Sequence, residues 1–91
     1  MSETRRNILV DIYNEPKHVS QIADDLKLDR STISYHLNLL EKVGLVSQEY
    51  TQIKSPESPS RIGSFFSVNQ EAVVRAVELA KSAVSIASER E

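Results

Sequence analysis

The fold of this 91-residue chain is decided by one stretch that runs from Val19 to Val46, VSQIADDLKLDRSTISYHLNLLEKVGLV. Its second half places four apolar residues on one face of a helix: Ile33, Leu37, Leu40 and Val43. Gly44 suits the left-handed position that ends a helix, and Leu40 and Leu45 are then expected to meet in a Schellman motif. The stretch therefore predicts one clear helix over residues 30–43.

The first half of the same stretch predicts a shorter helix. Ser20 is expected to cap its N-terminus, and its apolar face is formed by Ile22, Ala23 and Leu26. The link Lys27-Leu28 is very short, and Asp29 is expected to cap the next helix. Two helices joined by so tight a turn are typical of a helix-turn-helix unit.

Outside this stretch, the apolar patterns that predict helices and strands are weaker. A first helix is expected over residues 4–14, ended by Pro16. Strands are expected over residues 45–53 and 65–68, and the ten residues 54–63, which include two prolines, are expected to form a long loop between them. The predicted fold is mainly α with a β-hairpin wing, a winged helix-turn-helix of order α-α-α-β-β-α.

A last helix is expected from the cap Asn69 to about residue 89, and it has two apolar stripes. One stripe is Val73, Val77, Ala80, Val84 and Ala87; the other is Ala72, Ala76, Leu79, Ala83 and Ile86. We expect one stripe to cover the chain's own body and the first-named stripe to form a homodimer seam; the alternative is a helix sunk deeply into its own domain. Residues 1–69 are thus assigned to the winged helix-turn-helix and residues 70–91 to a dimerisation helix of the same domain.

Composition excludes several classes of protein. The 11 basic and 13 acidic residues give a net charge of −2, which excludes a strongly basic coat but allows a local basic patch. The chain has no cysteine, which removes disulfides and thiolate nucleophiles and suits the cytoplasm. No run of 18 apolar residues and no apolar leader segment occur, so we expect neither a membrane span nor a signal peptide.

The polar face of the predicted helix 30–43 is the candidate functional surface. It carries Ser31, Ser34, Tyr35 and Asn38, with Arg30 just inside the N-terminus and no carboxylate before Glu41. An α-helix fits the major groove of DNA, whose base edges offer mixed donors and acceptors to such side chains. A solvated polar face, which every surface helix has, is the alternative interpretation.

The motif of this helix resembles a known family. The run Ser31-Thr32-Ile33-Ser34-Tyr35-His36-Leu37, followed by Leu40 and then Gly44-Leu45-Val46, is similar to the signature of ArsR-type (arsenic-repressor-like) winged-helix transcription regulators. With Arg61-Ile-Gly-Ser-Phe-Phe-Ser-Val as the return strand of the wing, the similarity covers roughly residues 4–70. The resemblance implies a homodimer that binds double-stranded DNA, and, because members of the family mostly repress, a repressor.

The resemblance also implies DNA-contact positions on the third helix. They are Arg30, Ser31, Thr32, Ser34, Tyr35 and Asn38. The family often has glutamine at the position of Arg30 and histidine at that of Tyr35, so no base preference is carried over. We interpret His36, which matches the family histidine, as mainly structural.

Lys54 and Arg61 flank the predicted wing loop, where only Glu57 is acidic. Basic wing residues commonly meet the phosphate backbone or the minor groove in this fold, as the resemblance implies. Contact with DNA is therefore expected at both residues, the alternative being a solvated loop.

Metal and cofactor sites are not indicated by this sequence. Relatives of this type sense metals through cysteine pairs or Asp/His clusters, but His18 and His36 are the only histidines and lie in different predicted elements. We expect no metal and no cofactor, and the sequence identifies no small-molecule effector.

Two other classes of function fit the sequence less well. A winged helix that serves as a protein–protein interaction module within a transcription assembly should have apolar anchors on the third helix, where only Tyr35 qualifies. An enzyme is not expected, because the chain has no cysteine and no glycine-rich phosphate loop, its only glycines being Gly44 and Gly63.

Overall fold

A computed structural model describes residues 2–55 and 58–89 of the protein, with the side chains of residues 52–62 outside that description. In these described ranges, four helices and one antiparallel hairpin follow one another in the predicted order, so the winged helix-turn-helix fold is confirmed. The elements are α1 (Glu3–Ile12), α2 (Val19–Leu26), α3 (Arg30–Lys42), β1 (Val46–Ser55), β2 (Ser58–Val68) and α4 (Gln70–Glu89).

The core brings together one face of each of the first three helices and the base of the hairpin. Its buried side chains are Ile8, Leu9, Ile12, Ile22, Ala23, Ile33, Leu37, Leu40, Val46 and Phe66. The predicted apolar stripe of α3 is confirmed except at Val43, which is 69% exposed. Helix α3 already ends at Lys42, so Val43 sits at the C-cap and its side chain leaves the line of the stripe.

The predicted end of α3 at Gly44 is confirmed by two backbone hydrogen bonds. Gly44 has a φ of +80°, and its N–H donates to the carbonyl of Glu41 at 3.0 Å. The N–H of Leu45 donates to the carbonyl of Leu40, also at 3.0 Å. These are the two hydrogen bonds that define a Schellman motif, and they turn the chain directly into β1.

Helix starts agree less well with the predictions. Ser20 does not cap α2: the helix begins at Val19, with His18 as N-cap and the Gln21 side chain accepting from the His18 N–H at 2.9 Å. The contact from the Gln21 side chain back to His18 places the N-cap two residues earlier in the chain than predicted. Asp29 occupies the N-cap of α3, but within the described residues its carboxylate makes no capping hydrogen bond. The cap at Asn69 is confirmed, since its Oδ1 accepts from the Ala72 N–H at 3.2 Å.

The turn between α2 and α3 is as short as predicted, and its conformation is unusual. Lys27 lies in the left-handed region at φ 57°, where a side chain is normally disfavoured. The N–H groups of Lys27 and Leu28 both donate to the carbonyl of Ala23. These bonds close the end of α2 and direct the chain into α3 within three residues.

The predicted ten-residue loop over 54–63 is wrong, because the hairpin is much longer than its apolar residues suggest. Strand β1 runs to Ser55 and β2 begins at Ser58, with a register shift between Ile53 and Ser55. A two-stranded sheet consists only of edge strands, and edge strands tolerate proline and polar residues that a central strand excludes. Strand pairing therefore continues through residues in which apolar alternation is lost.

Helix α4 leaves the body of the domain. Only Ala72 and Val73 are half-buried, Val73 packs against the core, and no residue of this 20-residue helix is fully buried. The chain is elongated accordingly, with a radius of gyration of 16.5 Å against about 12 Å for a compact chain of this length. Both the alternative of a deeply sunk last helix and the expectation that one whole stripe covers the chain's own body are thereby wrong, because every residue of α4 beyond Val73 is exposed. No helix among the described residues is long and apolar enough to cross a membrane.

Candidate nucleic-acid interface

The outer face of α3 presents the predicted set of polar side chains to solvent. Arg30, Ser31 and Asn38 are exposed, and Tyr35 is 61% exposed. Thr32 and Ser34 are half-buried, so they lie at the margins of this face. The structure thus brings all six predicted α3 residues onto one helix, and we call this surface the α3 face.

The opposite side of α3 holds the helix in a fixed orientation. Ile33 and Leu37 are fully buried and Leu40 is 2% exposed. Side chains packed this closely allow little rotation of the helix about its axis. The α3 face is therefore rigidly presented, as a surface that binds a regular partner requires.

Tyr35 and His36 contact each other at the edge of the α3 face, with ring centroids 5.3 Å apart in an edge-on arrangement. His36 is half-buried, and its Nδ1 is buried without a hydrogen-bond partner among the described residues. The structural interpretation of His36 fits this position beneath the surface. The contact with Tyr35 was not predicted, although the two residues are adjacent in sequence.

The base of the wing is attached to the helix-turn-helix unit by contacts that the sequence analysis missed. Lys17 and Phe66 exchange two backbone hydrogen bonds, of 3.2 and 2.8 Å. The next residue, His18, reaches the carbonyl of Ser64 with Nδ1 at 2.7 Å, and its ring lies 4.0 Å from that of Phe65. We call this group of contacts the wing clasp.

The basic wing residues are placed only through their backbone. Lys54 lies in β1 at the register shift, and Arg61 lies in β2 opposite Ile53. The side chains of both residues are outside the described part of the structure. Their contact with DNA stays a prediction.

Comparison with known proteins decides the family. A family model described as "Bacterial regulatory protein, arsR family" matches residues 2–48, which span α1 to the start of β1 and include the whole α3 face. The chain belongs to the arsR family. Its helix-turn-helix is thus that of a family of bacterial regulatory proteins.

Two known proteins are similar to this chain, one in sequence and one in fold. An uncharacterized HTH-type transcriptional regulator of Methanocaldococcus jannaschii is 36% identical over 61 residues, which cover 67% of this chain and 14% of that protein. A solved structure of a mutant of ZitR from Lactococcus lactis superposes with a TM-score of 0.63 at 21% identity. That match covers 98% of this chain and 59% of ZitR, and it shows the shared fold. The arsR-family chain is thus shorter than either protein, spanning about a seventh of the first and three fifths of the second.

An ion-pair cluster in this arsR-family protein connects α1 to α2 through the wing clasp. The Nζ of Lys17 lies 3.1 Å from Asp11 Oδ1 and 2.8 Å from Asp25 Oδ2. Burial raises the pKa of Asp11 above its usual value of 3.8, whereas the hydrogen bond from Lys17 lowers the pKa of Asp25 below that value. Hydrogen bonds to Asp25 and Asp11 raise the pKa of Lys17. Asp25 on α2 is thus engaged by Lys17.

The two carboxylates are expected to affect the pH dependence of stability in opposite directions. Asp25, with its lowered pKa, stabilises the fold above its unfolded-state pKa and loses this effect as the pH falls. Asp11, with its raised pKa, costs stability when ionised and stops doing so on protonation. At pH 7, Asp25→Asn is therefore expected to lower Tm and Asp11→Asn to raise it.

Thermal melts at pH 7 and pH 3 check this prediction. Both shifts should be a few degrees at most, because the cluster is partly exposed, and both should shrink at pH 3. Asp24→Asn, at the exposed neighbouring position, serves as the control and should leave the melt unchanged. Shifts of the same sign for the Asp11 and Asp25 variants would contradict the assignment.

Metal ligands were not expected, and the structure adds a limited observation. Within residues 2–55 and 58–89, no three His, Cys, Asp or Glu side chains converge in a way that could hold a metal ion. The proximity of Asp11 and Asp25 is accounted for by the ammonium of Lys17 between them.

The exposed surface of α4 is largely apolar. Val77, Leu79, Val84 and Ile86 are between 47% and 72% exposed. A groove of about 190 Å³ between α1 and α4 is lined by Leu9, Leu45, Val73, Ala76, Val77 and Ala80. A second groove farther along the helix is lined by Val77, Ala80, Lys81, Val84 and Ser85. The two share Val77 and Ala80, so together they form one apolar channel, the α4 groove.

Proposed function

We propose that this arsR-family protein binds one specific, near-palindromic sequence in double-stranded DNA as a homodimer and represses transcription from it. In this proposal α3 enters the major groove, and the wing around residues 54–63 lies near the phosphate backbone or the minor groove. The observation that carries the proposal is the α3 face, an exposed polar surface on a rigidly held helix in a family of DNA-binding regulators.

The chemistry of the α3 face supports base and phosphate contact. Arg30 is exposed in the first turn of α3, where a guanidinium can bind guanine in bidentate fashion or hold a phosphate. Ser31, Tyr35 and Asn38 add hydroxyl and amide groups that bond to base edges or phosphates. The N-terminus of α3 itself favours an anion, because its first N–H groups lack helical partners and the described Asp29 carboxylate does not bond to them.

The α4 groove supports the dimer. A helix of 20 residues is about 30 Å long, and few contacts join α4 to the rest of the chain. Isolated helices are marginal in water, and most helical stability comes from burying an apolar face. A second copy that lays its own α4 along the groove would bury Val77, Ala80, Val84 and Ala87 on both chains, with Val73 left packed on its own core.

A dimer of this kind fits the symmetry of a DNA site. Two copies of α3 related by a two-fold axis read inverted half-sites about one helical turn apart, roughly 34 Å. In this proposal the dimer bound at both half-sites keeps the transcription machinery off the overlapping sequence, and so represses transcription. Contact of Lys54 and Arg61 with the backbone would add affinity without adding sequence information.

Selection of bound sequences from a pool of random duplex DNA tests the proposal directly. We expect enrichment of two inverted half-sites whose centres are about 10–10.5 base pairs apart. An unrepeated half-site would overturn the dimer. Failure to enrich any sequence, with a folded protein and at low salt, would overturn DNA readout by the α3 face and favour a protein-contact module instead.

A further inference from the structure

We propose that His18 is a positioning residue that fixes the wing at one angle to α3 and thereby determines the contact that the wing makes with DNA. This inference rests on the proposed function, in which the wing meets DNA. It is carried by the wing clasp, where two consecutive residues of the α1–α2 link hold three consecutive residues of β2.

The side chain of His18 makes two different contacts with the wing. Its Nδ1 lies 2.7 Å from the carbonyl oxygen of Ser64, and because a carbonyl only accepts, Nδ1 carries the proton and donates. Its ring lies against Phe65 with centroids 4.0 Å apart and planes tilted by 32°. One residue thus holds β2 through a directional bond and through an aromatic contact.

The backbone of His18 is held just as firmly by α2. Its N–H donates to Gln21 Oε1 at 2.9 Å, and its carbonyl accepts from the N–H of Ile22 at 3.2 Å. Since α2 leads through Lys27 directly into α3, the N-terminal end of the helix-turn-helix unit and the base of the wing share one residue. Any rotation of the hairpin relative to this unit must break a contact of His18.

The length of the hairpin makes this anchor important. A two-stranded ribbon is marginally stable by itself, and β2 extends six residues from Ser64 to Ser58, or about 20 Å. A rotation of about 10° at Ser64 moves the far end of such an arm by about 3–4 Å, estimated from the strand rise. This displacement exceeds the tolerance of a hydrogen bond to a phosphate. A loosened clasp would therefore cost wing contacts while α3 stays in place.

Three substitutions separate the two contacts of His18. His18→Asn keeps a donor near the position of Nδ1, His18→Phe keeps the ring, and His18→Ala keeps neither. For the selected DNA sequence we expect His18→Ala to weaken binding about tenfold, the cost of about one hydrogen bond. His18→Asn should recover part of this loss. Glu15→Gln is the control: it changes an exposed side chain of the same α1–α2 link without touching β2, so it should leave affinity within about twofold, in the range of a surface substitution.

A double-mutant cycle distinguishes positioning of the wing from a merely structural role. If His18 acts through the wing, His18→Ala should have little further effect in a Lys54→Ala/Arg61→Ala background, and its effect should add fully to that of Arg30→Ala. Full additivity with the wing variant would overturn the proposal, as would wild-type affinity of a folded His18→Ala protein. Should His18→Ala fail to fold, the same cycle is run with His18→Phe, which also lacks the donor.

Failure of the proposed function can be told apart from failure of this inference. If Lys54→Ala/Arg61→Ala binds as tightly as the wild type, the wing does not contact DNA through these residues. The wing contact in the proposed function and the positioning role of His18 are then both wrong. If that variant loses affinity and His18→Ala does not, only the role of His18 is wrong.

Discussion

Replacement of Val77 and Val84 together by glutamate is expected to convert the dimer into monomers and to weaken DNA binding by at least about a hundredfold. Both residues line the α4 groove, and they are 47% and 66% exposed in the single chain. Their burial against a second copy would force four carboxylates into an apolar seam, where unpaired charges are strongly disfavoured. Association should therefore fail rather than merely weaken.

DNA binding is expected to weaken because the two half-site contacts no longer belong to one molecule. When two half-site contacts belong to one dimer, the second forms at an effective concentration in the millimolar range, which adds about 10²–10⁴ to the affinity. A monomer keeps its α3 face but loses this gain. Glutamate favours helix more than valine does, so α4 should persist in the variant.

Light scattering and titration of the selected DNA measure the two effects. The control is Arg75→Gln/Ser82→Glu, which changes the charge by the same two units at exposed positions on the polar side of α4. It should remain dimeric. A dimer that survives Val77→Glu/Val84→Glu would move the seam to the other stripe, and Leu79→Glu/Ile86→Glu would then be the disruptive pair.

The parts of the fold that could be predicted from sequence are those fixed by contacts between near neighbours. The end of α3 is the clearest case, because both defining hydrogen bonds, from Gly44 to Glu41 and from Leu45 to Leu40, lie within six residues. The buried stripe of α3 was predicted for the same reason, up to its last member. The predicted burial of Val43 was wrong because α3 ends at Lys42, one residue before it.

The length of the wing and its clasp depend on distant residues and were not predicted. His18 and Ser64 are 46 residues apart in sequence, so no local pattern pairs them. The predicted cap at Ser20 failed for a related reason: His18 takes the cap position and contacts β2 at the same time. The length of the hairpin was missed because pairing between two edge strands leaves little trace in apolar alternation.

The candidate site lies between these cases. Helical spacing alone predicted that Ser31, Ser34, Tyr35 and Asn38 share the polar face of α3, and in the described structure all of them but Ser34 are exposed there. Spacing could not predict that Thr32 and Ser34 would be half-buried, since their burial depends on what packs beside α3. Helical periodicity predicts on which side of a helix a residue lies, whereas tertiary packing determines how far its side chain is buried.

The double variant Arg30→Ala/Tyr35→Ala is expected to reduce binding of the selected DNA to the level of random DNA. A specific base contact contributes about 1–3 kcal/mol, and the dimer loses two side chains at each of two half-sites. Four such losses amount to about 4–12 kcal/mol, which matches or exceeds the margin of about 4–10 kcal/mol that separates specific from non-specific binding. Both side chains are exposed, so the free energy of unfolding should change by no more than about 0.5 kcal/mol per residue.

Competition between selected and random duplexes, with a thermal melt beside it, measures both expectations. Arg6→Ala removes an exposed arginine from α1 and should leave the discrimination between selected and random DNA intact. This control shows whether the effect depends on the position of the lost charge or only on the lower net charge. Tyr35→Phe divides the role of Tyr35: unchanged binding would assign it to ring contact, as with a thymine methyl, and a loss would assign it to the hydroxyl. Undiminished discrimination by the double variant, with its melt intact, would mean that DNA is read by a surface other than the α3 face.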